Sequence, residues 1–550
     1  MKQKFYIIDI NSKQKNRLQD ELNLDDNSLI VALNPYSGYL LDNANYEYIG
    51  FHDLISEQEY CSSIINVYKV FENLFENYSQ YSFVFYELSF LISLDCYLKL
   101  FKNVIIEKKS SEYDCIYITD VKKSDLRNKL DDQFVSMIDD YILLDNPDRD
   151  FYRKRKYEYL LRRINLSNFK KILNRFLHPK RSVFFKYGTS HLIKNFKRLE
   201  RKKTFDYNKI RYEEELYNKF QLNVKELIFN SIHSQSVAER MNVIINELSQ
   251  LSNLNVDDRD FVFHPFTFLH KQTDYKEIAK HKLLGFPIII FQHGSYLENT
   301  SLQLKFSEIH PADINLVCND ATKEYFERSG GKKVINIGNQ LFKNEISKTA
   351  ANMKYDYVYI SYCAAYSGQI GGIISLDNMS VQNSLEIYKR HQNVIELFGN
   401  NHPDLRLCIK IQPLIMTGSY YVPLLELAEK YNNIIIDYCT PLDKLFNQSE
   451  MIISDYLSSN FINRDLHIYK DIILFSNRPF ALPLNIVEDI DKMFILVDDV
   501  PDLASKLKNI NEIINSRVKD IEIIDHYSSS KENQESTVGV LKKLDKIWFA

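Results

Sequence analysis

Residues 451–475 read MIISDYLSSNFINRDLHIYKDIILF, and the alternation within them decides the fold class. Residues 451–453 and 472–475 are short apolar runs rich in β-formers, and the intervening stretch has helix-compatible spacing with Ser458 or Ser459 placed to cap it. Strand, hydroxyl-rich turn, helix and strand in that order are the unit from which parallel sheets are built. The first turn of such a helix leaves backbone N–H groups free beside the positive end of the helix dipole, so it can hold a phosphate without a metal.

A second segment complements it. Residues 286–292, FPIIIFQ, form a continuous apolar strand that stops at His293-Gly294-Ser295. A histidine at a strand's carboxyl end, followed by a glycine that lets the backbone turn or a ligand approach, stands where open α/β sheets keep their chemistry.

The same alternation runs outward in both directions. The first hundred residues offer the apolar runs FYIIDI and LIVALNP, a helix around 64–75 and a strand at 83–86. Residues 121–235 read as mainly helical, followed by a helix over 236–251 and strands at 261–264, 314–318 and 334–337, with a helix at 320–328 before the last of these. After a polar connector at 342–353, a new unit opens with a strand at 355–362 and a long helix over 381–398, and strands and helices alternate as far as the 451–475 segment. The expected organisation is one unit over 1–345 with a helical insertion at about 121–235, a second over 354–525, and a final segment 526–550 whose helix near 537–548 could cross back to the first.

A chain of 550 residues is too long for one ordinary core, and two large domains of ~100–200 residues each plus insertions suit it. Apolar content of 45% and charged content of 26% match a folded globular protein, and few glycines and prolines argue against long disordered linkers. The opening MKQKFYIIDINSKQ carries only a strand's length of apolar residues, and no uncharged stretch reaches the length of a membrane span, so a cytoplasmic protein is expected. The seven cysteines are scattered without CxxC or Cys/His spacing and read as reduced structural thiols. The carboxylate pairs Asp258/Asp260 and Asp498/Asp499 have no surrounding ligands and read as solvated turns, so no metal site is expected.

Charge is unevenly distributed. Between Arg149 and Lys203 there are nineteen Lys or Arg against three Asp or Glu, interleaved with Tyr, Leu, Ile and Phe at helical spacing, while the whole chain carries a net charge of −4. A basic amphipathic helix pair of this kind is either a solvated insertion, a dock for an anionic lipid surface, or a groove for a polyanionic acceptor or nucleic acid. The lipid surface is the partner we expect of it, and nucleic acid is not.

His293-Gly294 and the turn containing Asp455, Tyr456, Ser458 and Ser459 resemble the HG and SDYSS motifs of the CDP-glycerol glycerophosphotransferases and related surface-polysaccharide transferases of the GT-B fold, over roughly residues 260–480. The resemblance implies a GT-B-like α/β protein of two Rossmann-type doubly wound domains. It implies a nucleotide-activated donor, with CDP-glycerol or a CMP-sugar favoured, a glycan or lipid-linked glycan as acceptor, and no metal or other cofactor. By the same resemblance His293 is the general base that activates the acceptor hydroxyl, a task suited to an imidazole with an ordinary pKa near ~6.5. Gly294, Asp455, Tyr456, Ser458 and Ser459 would meet the donor, with amides and hydroxyls stabilising the leaving phosphate.

The chain departs from the family pattern at several places. Leu457 displaces the usual adjacent serines, Asp465 is the nearest match to an acidic residue further along, and Asp471 stands where a proline is usual. The segment IKIQP supplies Lys410 and Gln412 where a lysine followed by His-Pro is expected; lysine can neutralise phosphate and glutamine can hydrogen-bond it, but glutamine cannot act as a general acid. Thr440-Pro441 with Asp443 reads as a capped helix start that could touch the nucleotide. The loop SGQIGG at 367–372 lacks the lysine of a P-loop. Two rivals remain: a UDP-sugar-dependent glycosyltransferase of the same fold, and a non-catalytic membrane-associated assembly protein whose basic helices carry its function.

Overall fold

The computed structural model describes residues 3–10, 28–50, 54–55, 57–78, 85–120, 135–144, 214–250, 288–292, 309, 312–317, 319–336, 353–361, 381–411, 422–437, 440, 442–455, 471–476, 489–517 and 520–527. Three sheets appear, and every neighbouring strand pair in them is parallel.

The first sheet has the order β3-β2-β1-β4-β5, from β1 (Gln3–Asp9), β2 (Leu29–Ala32), β3 (Ile49–Gly50), β4 (Tyr113–Thr119) and β5 (Asp140–Leu143). Both its faces are covered, which is why its central strands are continuous apolar runs. Phe5 and Ile7 of β1 enter one core, and Tyr6 and Ile8 enter another on the opposite face, as the two-residue period of a strand requires. Helix α1 (Pro35–Asn43) contributes Leu41 to the second of these cores. The first core holds residues of α2 (Glu57–Asn77), α3 (Phe85–Ser110), α4 (Glu214–Ser231) and α5 (Gln235–Gln250).

Helix α3 corrects the sequence reading, which places a strand at 83–86. Phe85 and Tyr86 instead begin a helix of 26 residues. The aromatic run looks like a strand locally, but apolar residues continue for seven turns, and α3 is packed against α2, α5 and β4. A helix buried on several sides has no polar face to reveal its period. The central strand β4, which follows at once, also went unread.

A smaller sheet, β6-β7-β8, comprises β6 (Ile289–Phe291), β7 (Ile314–Val317) and β8 (Val334–Asn336), with α6 (Asp320–Arg328) between the last two. Ile288 and Ile290 belong to the core of the first sheet.

The third sheet has six strands in the order β11-β10-β9-β12-β13-β14, formed by β9 (Tyr355–Ile360), β10 (Leu407–Lys410), β11 (Ile434–Asp437), β12 (Ser449–Ser454), β13 (Ile472–Phe475) and β14 (Ile495–Val497). Numbered from its own first strand this is 3-2-1-4-5-6, the doubly wound order. Tyr357, Tyr359, Leu407 and Ile453 face the core shared with α7 (Val381–Glu396), α8 (Val422–Ala428) and α11 (Val500–Lys508). Val358, Ile360, Cys408 and Ile452 face the opposite core, which includes residues of α9 (Leu442–Asn447), α10 (Ile490–Met493) and α13 (Ile521–Tyr527). Helix α12 (Ile510–Ser516) lies between α11 and α13 in the chain. The expected fold class is therefore met: α/β, with two Rossmann-ordered parallel sheets.

Among the described residues, two helix pairs join the halves of the chain. Helix α1 packs on α7, and α13 packs on α6, where Asn319 Nδ2 donates to the Tyr527 carbonyl at 2.9 Å. The helix expected near 537–548 and the basic stretch 149–203 lie outside the described residues. Among the described residues, no helix is long and apolar enough to cross a membrane.

Candidate functional site

In a doubly wound sheet the crevice opens where the strand order reverses, outside the carboxyl ends of the two strands that flank the reversal. Here those strands are β9 and β12. Their ends bring Ser361, Ser454 and Asp455 together, all three buried. The backbone of Ser361 continues the ladder, with its N–H donating to the Lys410 carbonyl at 3.1 Å and its hydroxyl donating to the same oxygen at 3.2 Å. Asp455 N–H reaches the Ile360 carbonyl at 3.4 Å. Three adjacent strand ends, of β10, β9 and β12, are thus stitched into one edge.

Asp455 is the centre of this edge. Its carboxylate accepts from the Tyr359 hydroxyl at 2.7 Å, from Arg390 Nη1 at 2.9 Å and from His391 Nε2 at 2.8 Å. Tyr359 comes from the neighbouring strand, and Arg390 and His391 come from α7. The Arg390 guanidinium also lies over the Phe475 ring, 4.4 Å from its centroid. Burial alone would push the Asp455 carboxyl up. The His391 hydrogen bond, the His391 and Arg390 charges and the Tyr359 hydroxyl outweigh it and hold the pKa down at about 2. Asp455 is therefore an anion at every physiological pH. Burial, and then the Asp455 charge, push the Tyr359 phenol well above its ordinary range, so it stays a donor.

A second polar group occupies the ends of β10 and β11. Lys410 Nζ lies 3.3 Å from Asp437 Oδ1, with both side chains less than one-fifth exposed. Asp437 also accepts from the Thr440 backbone N–H at 2.7 Å and from the Thr440 hydroxyl at 2.6 Å. The acceptor that fixes the approach to α9 is thus Asp437, three residues upstream of Thr440.

Of the residues expected to bind or react with substrate, Lys410, Thr440 and Asp455 are described, and all three stand at the carboxyl edge of the six-stranded sheet. Lys410 and Thr440 meet through Asp437. The Asp455 carboxylate turns inward to three side chains of the protein. His293, Gly294, Gln412, Tyr456, Ser458 and Ser459 lie outside the described residues, as do Asp258, Asp260, Asp465 and the 367–372 loop. Gln292, immediately before His293, is buried and anchored: its backbone donates to the Leu316 carbonyl at 2.9 Å, and its side-chain amide donates to the Thr322 hydroxyl at 3.4 Å. Asp499 caps α11 by accepting from Asp502 N–H at 2.8 Å. Among the described residues, no group of three or more His, Cys, Asp or Glu could hold a metal ion.

Arg390, His391, Tyr359 and Asp437 escaped the sequence reading. Each has an innocuous local context: two polar residues on an amphipathic helix, a tyrosine in an apolar strand, and an aspartate ending one. An adjacent Arg-His pair on the helix after a first Rossmann strand was the only available signal, and its partner lies 64 residues further on.

No protein-family model and no curated protein matches the chain. Among solved structures it is similar to the UDP-GlcNAc 2-epimerase of Methanocaldococcus jannaschii in complex with UDP-GlcNAc and UDP, at 14% identity and a TM-score of 0.36, over 64% of this chain and 96% of that one. It is also similar to UDP-GlcNAc 2-epimerase from Neisseria meningitidis bound to UDP-GlcNAc, at 11% identity and a TM-score of 0.33, over 56% of this chain and 81% of that one. Medicago truncatula UGT71G1 complexed with UDP-glucose aligns over 99% of this chain and 98% of that one, at 10% identity and a TM-score of 0.26. Overlaps this loose decide neither fold nor function, and the topology rests on the strand register of the chain itself.

Proposed function

We propose that this chain is a nucleotide-dependent transferase of GT-B-like organisation, which binds an activated donor at the switch point between β9 and β12 and passes its transferred group to an acceptor hydroxyl. The observation that carries this reading is the reversal of strand order in the six-stranded sheet, with a buried, ionised Asp455 held beside it by Arg390 and His391. A buried charge cluster is costly to keep unless its members are paired, and clusters of this kind are concentrated at functional sites. Asp455 acts here as an anchor that fixes the end of β12, so that the turn after it, with Tyr456, Ser458 and Ser459, meets the donor phosphate. Lys410 supplies positive charge at the adjacent strand end, and Gln412, Thr440 and Gly294 are further contacts.

His293 takes the proton of the acceptor hydroxyl as the nucleotide leaves. The bond that forms joins the acceptor oxygen to the transferred carbon or phosphorus, and the bond that breaks joins that atom to the leaving nucleotide oxygen. The sequence motifs favour CDP-glycerol or a CMP-sugar as donor, and a glycan of a bacterial surface polysaccharide, free or lipid-linked, as acceptor. The basic stretch 149–203 would hold the protein peripherally on an anionic leaflet, at ~1 kcal/mol per basic residue near the surface. The test is calorimetry with CMP, CDP and UDP, followed by turnover of the matching donors with release of nucleotide as the readout. Binding of a cytidine nucleotide with donor turnover is expected. Selective binding of UDP would move the donor to a UDP-sugar, and absence of binding to all three at millimolar concentration would overturn the reading.

A further inference from the structure

The contact between α1 and α7 has an anchor at each end. On the first sheet, Asn34 caps α1 by accepting from Ser37 N–H at 2.8 Å, and its amide donates to Asp9 Oδ1 at 2.9 Å. Ser37 Oγ accepts from Ile10 N–H at 2.9 Å. The start of α1 is thereby pinned to the carboxyl end of β1. On the third sheet, Arg390 and His391 pin α7 to Asp455 at the carboxyl end of β12.

Between these anchors the two helices interlock. Tyr36 of α1 is buried in the core of the third sheet. Tyr39 meets Tyr388 edge-on, 5.0 Å between ring centroids, and its hydroxyl accepts from Gln392 Nε2 at 3.1 Å. Lys389 pairs with Asp42. Lys389 and Gln392, three positions apart, share the helix face that meets α1, while the residues between them bind Asp455. A displacement of α7 that keeps its packing therefore moves both sets of contacts together.

We propose that α1 and α7 form a strut that ties the carboxyl edge of the first sheet to the switch point of the third, making Tyr39 and Asp42 positioning residues for a site on a sheet to which they do not belong. Its thermodynamic content is linkage: whatever alters the packing of Asp455 alters the stability of α1, and docking of α1 strengthens ligand binding at the switch point by the same factor as ligand binding strengthens that docking. The second statement rests on the nucleotide site proposed above; the first does not.

Two experiments separate them. Without ligand, backbone amide exchange of residues 36–43 is compared between the wild type and Asp455→Asn, with Asp455→Glu as the variant that keeps the charge should Asp455→Asn not fold. Exchange across α1 at least fivefold faster is expected; acceleration confined to α7 with α1 unchanged overturns the strut. With CDP or UDP as the probe, Asp42→Lys is expected to weaken binding at least fivefold, and the swap Asp42→Lys with Lys389→Asp to restore it to within threefold, on the usual scale of coupling between sites. Unchanged affinity in a folded Asp42→Lys, or a loss that the swap does not repair, overturns it. If the wild type binds no nucleotide, the proposed function fails, and the exchange experiment alone decides the strut.

Discussion

Asp9 and Asp455 occupy comparable places in two different sheets, and the groups around them differ. Each stands at the carboxyl end of a central parallel strand, and each accepts from a tyrosine on the strand beside it: Tyr117 at 3.0 Å for Asp9 and Tyr359 at 2.7 Å for Asp455. Burial, and then the adjacent carboxylate, push both phenols well above their ordinary range. Asp9 also accepts from the Asn34 amide, and Asp455 also accepts from the Arg390 guanidinium and the His391 imidazole. The Asn34 amide ties Asp9 to the cap of α1. The Arg390 guanidinium sets a positive charge against the Asp455 anion in the interior, beside the reversal of strand order. The same carboxylate–tyrosine motif is thus tied to a helix cap in the first sheet and to a guanidinium of α7 in the third.

The largest expected effect tests the division of labour between the two halves. His293→Ala should lower the transfer rate by ~10²–10⁴, the usual value of a general base, while leaving nucleotide affinity nearly intact. Single-turnover kinetics beside calorimetry reads both, and near-normal turnover would remove His293 from the chemistry.

Next comes the contrast of the carboxylates themselves. Arg390→Met leaves Asp455 buried without its guanidinium partner and should cost about 3–5 kcal/mol, whereas Tyr117→Phe at Asp9 removes one neutral hydrogen bond and should cost about 1–2 kcal/mol. Denaturant titrations followed separately for each half would reverse the comparison if the order were inverted.

The acid limb of stability provides a third measurement. Asp455 has a folded pKa of about 2, below its unfolded value of ~3.9, so its contribution is complete above the unfolded value and is lost as pH falls from about 4 to 2. That contribution is about 2–3 kcal/mol at neutral pH. Asp455→Asn should flatten this limb in a plot of melting temperature against pH. An unaltered limb would show that other carboxylates govern it.

The smallest effect concerns the partly exposed Lys389–Asp42 pair, where Lys389→Gln should change stability by less than ~1 kcal/mol because solvent screens the charges. A loss of several kcal/mol in thermal denaturation would mean that the seam behaves as a buried interface.

Most strands of the third sheet were legible because each is an apolar run ended by turn or polar residues, and the same holds for β1, β2 and β7. Helix α6 was legible at 320–328, with Gly330-Gly331 after it, and the structure adds Asn319 as its cap. Helix α3 and strand β4 were not, because a helix packed on several sides loses the amphipathic period that identifies helices, and it ran unbroken into the reading of its neighbours. Lys410 was legible as a polar residue at a strand end and Thr440 as a capping residue at a helix start, but their shared acceptor Asp437 was not, since nothing local separates a binding aspartate from a solvated one.

The sequence by itself determined that this is an α/β chain of alternating strands and helices, with Asp455 at the end of an apolar strand and polar groups gathered at other strand ends. These follow from periodicity and local composition, which short-range sterics and burial impose within a few residues. Only the tertiary structure decided the strand order, and with it the location of the switch point, because parallel neighbours are joined by long crossovers that carry no local mark of which strand they will meet. It also decided that Arg390, His391 and Tyr359 converge on Asp455. Their partnership is a matter of desolvated charge and hydrogen-bond geometry between segments 64 to 96 residues apart, and such pairs exist only once the sheet has brought them within 3 Å of one another.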